Sequence, residues 1–315
     1  MRGYLATTDY DWFSFLQGRQ PLEEVNFWQP SAHGFRAPAG TPFLFKLKAP
    51  YNAIGGFGIF ARYEEASPAL AWEAFGEKNG APTFGEMWNR IGRYARRPGD
   101  PSHRIGCIMV ADPVFLPRER WISQPQDWKP NIVSGAGIDL ASGEGLRIWE
   151  ACLAHGRHFP QAPLAAEASE RGAGDVPAPR FGTPQLVRPR LGQGTFRVAV
   201  TAAYDGACAV SGEHSLPALE AAHIRPYTSD GPHDVPNGLL LRADIHRLFD
   251  KGYVTVTPDH RFVVSQRLAK EWENGKIYYE RNGRPITLPR RPSDGPDPEL
   301  LRWHNEHVFE KGIAA

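Results

Sequence analysis

The sequence predicts a mixed α+β protein built as two units. Three observations carry this. Short apolar stretches that alternate or run together, such as "PFLFKLKAP" and "IGGFGIFARY", read as strands. Helical stretches are few and short. A segment dense in Pro, Ala and Gly, residues 159–189, separates an aromatic-rich first unit, 1–158, from a second, 190–315.

Within the first unit, "RIGCIMVADPVFL" is a further strand, bounded by Asp112-Pro113. "SPALAWEAFG" is a helix that starts at Ser67-Pro68 and stops at Gly76, and "GLRIWEACLAHG" is a second short helix. Residues 159–189 lack periodicity and read as a semi-extended linker, because prolines stiffen such chains. In the second unit "GTFRVAVTAAYDGAC" is a helix and "SLPALEAAHI" leads into a short strand. After the loop "RPYTSDGPHDVPN" come the strand "GLLLR" and the helix "ADIHRLFDKG", closed by Gly252. "YVTVTPDHRFVVS" is a hairpin around Pro258-Asp259, and "LRWHNEHVF" lies on a C-terminal helix.

Composition bounds the function. The chain has 315 residues and a formal charge of +1, which neither demands nor excludes nucleic acid, since steering depends on how charge is distributed. No apolar run reaches membrane-spanning length. The N-terminal "MRGYLATTDYDWFSF" lacks the small apolar core of an export signal. The three cysteines, Cys107, Cys152 and Cys208, are too few and too scattered for a disulfide framework or a four-cysteine zinc site. These features point to a cytoplasmic protein.

The chemistry-bearing pattern is H-x13-N-x8-H: His223 at a strand end, Asn237 at the mouth of the next strand, His246 on the helix that follows. Hydrolysis of a phosphodiester needs a base for water and a divalent cation for the charge on phosphate and leaving oxygen. Imidazole is the side chain best tuned to act as a base near neutral pH. His223 is the candidate base and His246 the candidate metal ligand. Asn237 carries a short amide able to hold a loop. Arg225, Arg242, Arg247 and Lys251 crowd the motif, as solvated charges or as contacts to the DNA backbone. His214 and His233 fall in turn-rich loops and read as solvent-facing, His260 sits in the hairpin turn, and His304 packs on the core. Asp250 caps the helix or pairs with Arg247 or Lys251.

These residues resemble the HNH endonuclease family. The resemblance rests on "RLGQGTFRVAV", "YDGACAVSG", "LEAAHIRPY", "NGLLLRADIHRLFDKGYVTV" and "LRWHNEHVF", and so covers most of residues 190–310. It implies a ββα-metal core that cuts DNA with one divalent cation, Mg2+ or Mn2+, with His223 as general base, Asn237 as the loop-ordering asparagine and His246 on the metal. Many members carry Asp or His directly before the base; here that position is Ala222. Asp244 is the candidate replacement, although an Asp near a helix start also caps free N–H groups. Some relatives hold a structural zinc with paired cysteines near "CAVSG". Here Ser211 stands three places after Cys208, so no structural zinc is expected and Cys208 reads as a small buried residue.

The first unit, through "EEVNFWQPSAHGFRAPAGTPFLFKLKAPYNAIGGFGIFARY", looks similar to the PUA-like superfamily of EVE, ASCH and SRA domains. That resemblance implies a β-barrel-type fold and, in several members, an aromatic pocket for one flipped base. Tyr10, Trp12, Phe27, Trp28, Phe35 and Trp121 are the aromatics to place, either in a pocket or in the core. Trp28, flanked by Asn26 and Gln29, is best placed to meet a modified base, with Trp12 and Phe27 beside it. Gly55, Gly56 and Gly58 mark either a close backbone approach to a ligand or a bulge.

The combined reading is a modification-dependent restriction endonuclease. Its first unit senses a modified base, modified cytosine above all, in double-stranded DNA. Its second unit cuts, and a homodimer would supply two centres for two strands. Two alternatives stand beside it: an HNH nuclease whose first unit binds RNA or a partner, and a degenerate nuclease fold, disabled by Ala222, that only binds nucleic acid.

Overall fold

The computed structural model describes residues 1–94, 103–155 and 191–309; the expected linker at 159–189 lies outside the described residues. The first part of the chain builds β1 (Arg2–Thr8), α1 (Tyr10–Gln17), β2 (Glu24–Gln29), β3 (Pro42–Leu47), β4 (Ala53–Ala66), α2 (Pro68–Phe75), α3 (Phe84–Gly92), β5 (Ile105–Phe115), β6 (Ile122–Ser123), β7 (Gly135–Asp139) and α4 (Gly143–His155). The strands form one seven-stranded sheet in the order β2-β5-β4-β3-β1-β7, with β6 paired to β4. Only β1 and β3 run parallel; every other neighbour is antiparallel.

Period-2 alternation sorts the side chains onto two faces. Ala6, Phe43 and Phe45 join Trp12 and Phe13 of α1 in one apolar layer. Leu5 and Leu44, one residue out of phase, join Ile148 and Trp149 of α4 in another. Covering both faces explains why β3 is apolar but for Lys46 and is buried throughout. The helix at Ser67 starts as expected, with the serine hydroxyl accepting from Leu70 N–H at 3.2 Å.

Two expectations are corrected. The sheet path ends at β2 and β7 without a ladder between them, so no closed barrel is found among the described residues and the PUA-like barrel is not supported. The strand at Cys107 does not stop at Asp112-Pro113. Asp112 takes a left-handed φ of 47° and β5 runs on to Phe115. Glycines 56 and 58 are structural: a Cβ at Gly56 would lie 2.2 Å from the Val114 carbonyl and one at Gly58 2.5 Å from Val110, beside a register shift between Phe57 and Ile59.

The second part comprises α5 (Gln193–Ala203), β8 (Leu219–His223), β9 (Gly238–Arg242), α6 (Ala243–Asp250), β10 (Val254–Val256), β11 (Phe262–Val264), α7 (Arg267–Trp272), α8 (Lys276–Tyr279) and α9 (Pro298–His307). β8 and β9 pair antiparallel, with His223 opposite Gly238 and Glu220 opposite Leu241. The apolar sides of α5, α6 and α9 close on this hairpin and on β10–β11, burying Leu239, Leu241, Ile245, Phe249 and Leu301. α5 ends earlier than the sequence suggests, because Asp205 and Gly206 both adopt left-handed φ, 53° and 68°.

α5 belongs to two cores at once. Leu191, just before it, and Val198 pack with Leu70, Ala71 and Phe75 of the sheet unit. Phe196, Ala199 and Val200 pack into the hairpin unit. Arg197 pairs with Glu73 at 2.9 Å, and Arg62 of β4 reaches Asp294 at 3.4 Å. No helix among the described residues is long and apolar enough to cross a membrane.

Candidate active site

The hairpin and α6 bring the motif together. Asn237 is fully buried and spends its amide on the loop between the strands. Its Oδ1 accepts from Arg225 N–H at 2.9 Å, and its Nδ2 donates to the carbonyls of Arg225 at 2.9 Å and Pro232 at 2.8 Å. One side chain thereby pins the loop just after His223 and just before His233. Asn237 orders this loop rather than offering a free group to a substrate.

His223 lies flat on Phe196 of α5, with ring centroids 3.9 Å apart and planes within 8°. Its Nε2 is buried and has no hydrogen-bond partner. Burial first, then the neighbouring imidazoles of His233 and His246, lowers its pKa to about 4. The ring is therefore neutral at pH 7, and its Nε2 is not engaged by another protein group. His233, expected to face solvent, instead sets its ring 5.4 Å from that of His223.

His246 stands between two carboxylates. Its Nδ1 is 2.7 Å from Glu220 Oε2 and its Nε2 is 3.4 Å from Asp250 Oδ2. Helix geometry explains the second contact, since residues four apart share a face. Strand geometry explains the first: Glu220 lies two residues before Ala222, on the same side of β8. The carboxylate absent at position 222 is thus present one pleat away. Asp250, expected to cap or to pair with Arg247 or Lys251, turns to His246.

Asp244 is not brought to His246. Two residues along a helix differ by roughly 200° in direction. Asp244 is instead clamped by Arg242, Nε to Oδ1 at 2.7 Å and the second nitrogen to Oδ2 at 2.6 Å, and accepts from the Tyr278 hydroxyl at 2.9 Å. The guanidinium holds its pKa down to about 2. The expected metal ligand is therefore an ion-pair anchor, and Arg242 is consumed in the same pair. The side chain of Arg225 hydrogen-bonds the Ser229 carbonyl, and its guanidinium lies 5.2 Å from the Trp303 ring. Arg247 and Lys251 are exposed.

Among the described residues no three His, Cys, Asp or Glu side chains already converge as ligands of one ion. Glu220 meets Nδ1 of His246 and Asp250 meets Nε2, so an ion on either ring nitrogen would have one carboxylate beside it and the other on the far nitrogen, orienting the ring. Cys208 is buried, and its Sγ accepts from the backbone N–H groups of Ser211 and Arg242 at 3.4 and 3.3 Å. His304 packs on the core as expected, stacked on Phe249 at 3.7 Å.

The base-reading set of the sheet unit is largely interior. Asn26 is fully buried and donates to Asn79 Oδ1 at 2.9 Å. Trp12 is 5% exposed and meets Phe27 edge-on at 5.2 Å. Trp28, partly buried, donates its indole N–H to the Asn79 carbonyl at 2.9 Å. Phe35 packs against Tyr4 and Phe60, and Tyr10 lies on Tyr51 near Trp121. Aromatic density here builds the core and its rim, which period-2 burial on a sheet accounts for.

A search of curated proteins finds no match. One solved structure that is similar is of a modification dependent TagI restriction endonuclease, 14% identical, covering 86% of this chain and 62% of that one, with a TM-score of 0.26. The chain thus spans about 62% of that protein's length, and at this score the likeness supports no conclusion. Residues 208–257, which hold His223, Asn237 and His246, match the HNH endonuclease family. The chain therefore carries an HNH endonuclease domain over those residues.

Proposed function

We propose that this protein is a DNA endonuclease of the restriction type in which His223 takes the proton from the attacking water. The observation that carries the reading is the state of His223: neutral, with Nε2 uncommitted, fixed in plane by Phe196, within an HNH domain. Asn237 holds the loop that aims it. His246 would hold a divalent cation, Mg2+ or Mn2+, through one ring nitrogen, with one of Glu220 and Asp250 beside the ion and the other orienting the ring from the opposite nitrogen. Such an ion supplies charge neutralisation at the phosphate and the departing oxygen. Arg247 and Lys251, both exposed, would meet the DNA backbone.

On the same reading the sheet unit restricts cutting to DNA with a modified base, modified cytosine first, and a homodimer would serve both strands. This part rests on the sequence resemblance of the first unit alone; the packing of α5 in both cores only ties that unit to the nuclease centre. The test is digestion of phage DNAs that carry different cytosine modifications, with Mg2+ and with Mn2+. Cutting of modified DNA alone supports the whole reading. Equal cutting of modified and plain DNA removes the sensor and keeps the nuclease. No cutting of any DNA with either ion removes the nuclease.

A further inference from the structure

The N-terminal end of α5 has no cap of its own. Its N-cap residue is Gly192, which carries no side chain to accept from the first free N–H groups. The acceptor comes from the other unit. Glu24, the first residue of β2, is 1% exposed. Its Oε1 accepts from Gly194 N–H at 2.9 Å, and its Oε2 accepts from Thr195 N–H at 3.0 Å and from the Thr195 hydroxyl at 2.5 Å. Lys78 lies 3.3 Å from the same carboxylate. A carboxylate at a helix N-terminus also gains from the helix dipole.

The fit leaves little room. A Cβ at Gly192 would lie 2.1 Å from Glu24 Cδ, and one at Gly194 would lie 2.6 Å from the Ala74 carbonyl. The next residue is Phe196, whose ring carries the imidazole of His223. The tip of that ring also lies close to Gly238, the strand partner of His223, where a Cβ would come within 2.9 Å of Phe196 Cζ. A continuous packed line therefore runs from β2 through Glu24, Thr195 and Phe196 to His223.

We infer that Glu24 is a positioning residue for the nuclease centre: by capping α5 across the two units it fixes Phe196, and through Phe196 the plane of His223. The sheet unit is then part of the catalytic geometry and not only a separate reader of DNA. The inference rests on His223 as the base. Four donors, from the opposite unit and its own, surround this buried carboxylate.

The experiment uses the full-length chain as Glu24→Ala and Glu24→Gln, with Glu73→Ala as a control that removes an ion pair of the same interface but not the cap. Cleavage is followed as kcat and KM, and the His223 ring protons by NMR, where the Phe196 ring current shifts them upfield. Glu24→Ala is expected to lower kcat about ten- to hundred-fold with KM little changed, since small misplacements cost that much. Its His223 resonances move toward those of a free histidine. Glu24→Gln, which keeps one amide oxygen as acceptor, falls between. Glu73→Ala lowers the melting temperature and moves neither readout. Should Glu24→Ala fail to fold, Thr195→Val, which removes only the hydroxyl bond, gives a smaller change in the same direction. Unchanged kcat and unchanged His223 resonances in a folded Glu24 variant overturn the inference. If the wild-type chain cuts no DNA, the proposed function falls, while the resonances still decide whether Glu24 sets the ring.

Discussion

Replacing Asn237 by Asp changes one atom and removes two donors. In the wild-type chain the amide donates to the carbonyls of Arg225 and Pro232 and accepts from Arg225 N–H, with no exposure to water. A protonated carboxyl can serve only one of those carbonyls, leaving one buried acceptor unpaired at about 1–3 kcal/mol. An ionised carboxyl sets negative charge against both carbonyl oxygens in a buried site. The folded-state pKa is then raised, by about 2–3 units from the ordinary 3.9. The folded state binds the proton more tightly than the unfolded one, so stability falls as pH rises between those two values, by about 1.4 kcal/mol per unit. Asn237→Asp should be about 3 kcal/mol less stable than wild type near pH 4.5 and about 5 kcal/mol less near pH 7, by the same arithmetic. Asn237→Ala, which also leaves carbonyls unpaired but cannot ionise, should show a loss that does not depend on pH. Urea melts of the three proteins from pH 4.5 to 7.5 give the differences directly, with shared ionisations cancelling. A pH-independent loss in Asn237→Asp would refute the account of Asn237 as a buried two-carbonyl clamp.

Other expectations follow from the same geometry. His304 is buried and its pKa is lowered to about 4, so the folded state binds fewer protons than the unfolded one between pH 6.5 and 4. Stability should therefore fall as pH drops through that window, by about 3 kcal/mol from this group. The acid slope should shrink in His304→Phe, as read by thermal melts; an unchanged slope would count against it. Glu220→Gln should weaken Mn2+ binding about ten-fold or more in a calorimetric titration, whereas Asp244→Asn should leave it unchanged and lower the melting temperature. The reverse pattern would return Asp244 to the ligand set. Arg247→Ala should weaken DNA binding regardless of sequence and reduce the salt slope by about one, measured with DNA under conditions that prevent cutting. An unaltered slope would remove Arg247 from the phosphate contacts.

Local signals made the hairpin and α6 legible. "GLLLR" is an apolar run of strand length, and Gly252 closes the helix that starts behind it, with φ at 73°. The His260 turn reads from Pro258-Asp259, and His260 itself takes a left-handed φ of 60°. What was not legible depends on contacts between distant parts of the chain. The order of the sheet places β1 beside β3 and β7, which no local pattern encodes. α1 was hidden because "YDWFSFLQ" is aromatic and weakly helical in propensity, and becomes a helix by burying Trp12, Phe13 and Leu16 on the sheet.

The site divides in the same way. His223, Asn237 and His246 stand out by spacing. The carboxylates around His246 carried a signal that was available: position 250 is one turn on from 246, and position 220 shares a strand face with 222. Asp244 misled because nearness in sequence on a helix is not nearness in direction. His233 misled because a loop was equated with solvent, while Asn237 folds that loop back over His223. Phe196 and Glu24 could not be found from the motif at all, since the docking of α5 between two cores is what brings them to it.

The most direct measurement is nicking of supercoiled plasmid, modified and plain, by wild type and His223→Ala with Mn2+ and with a chelator, alongside a DNA-binding assay. The account predicts metal-dependent cutting by the wild type that is lost in His223→Ala while binding is kept. Cutting by His223→Ala at the wild-type rate would contradict it.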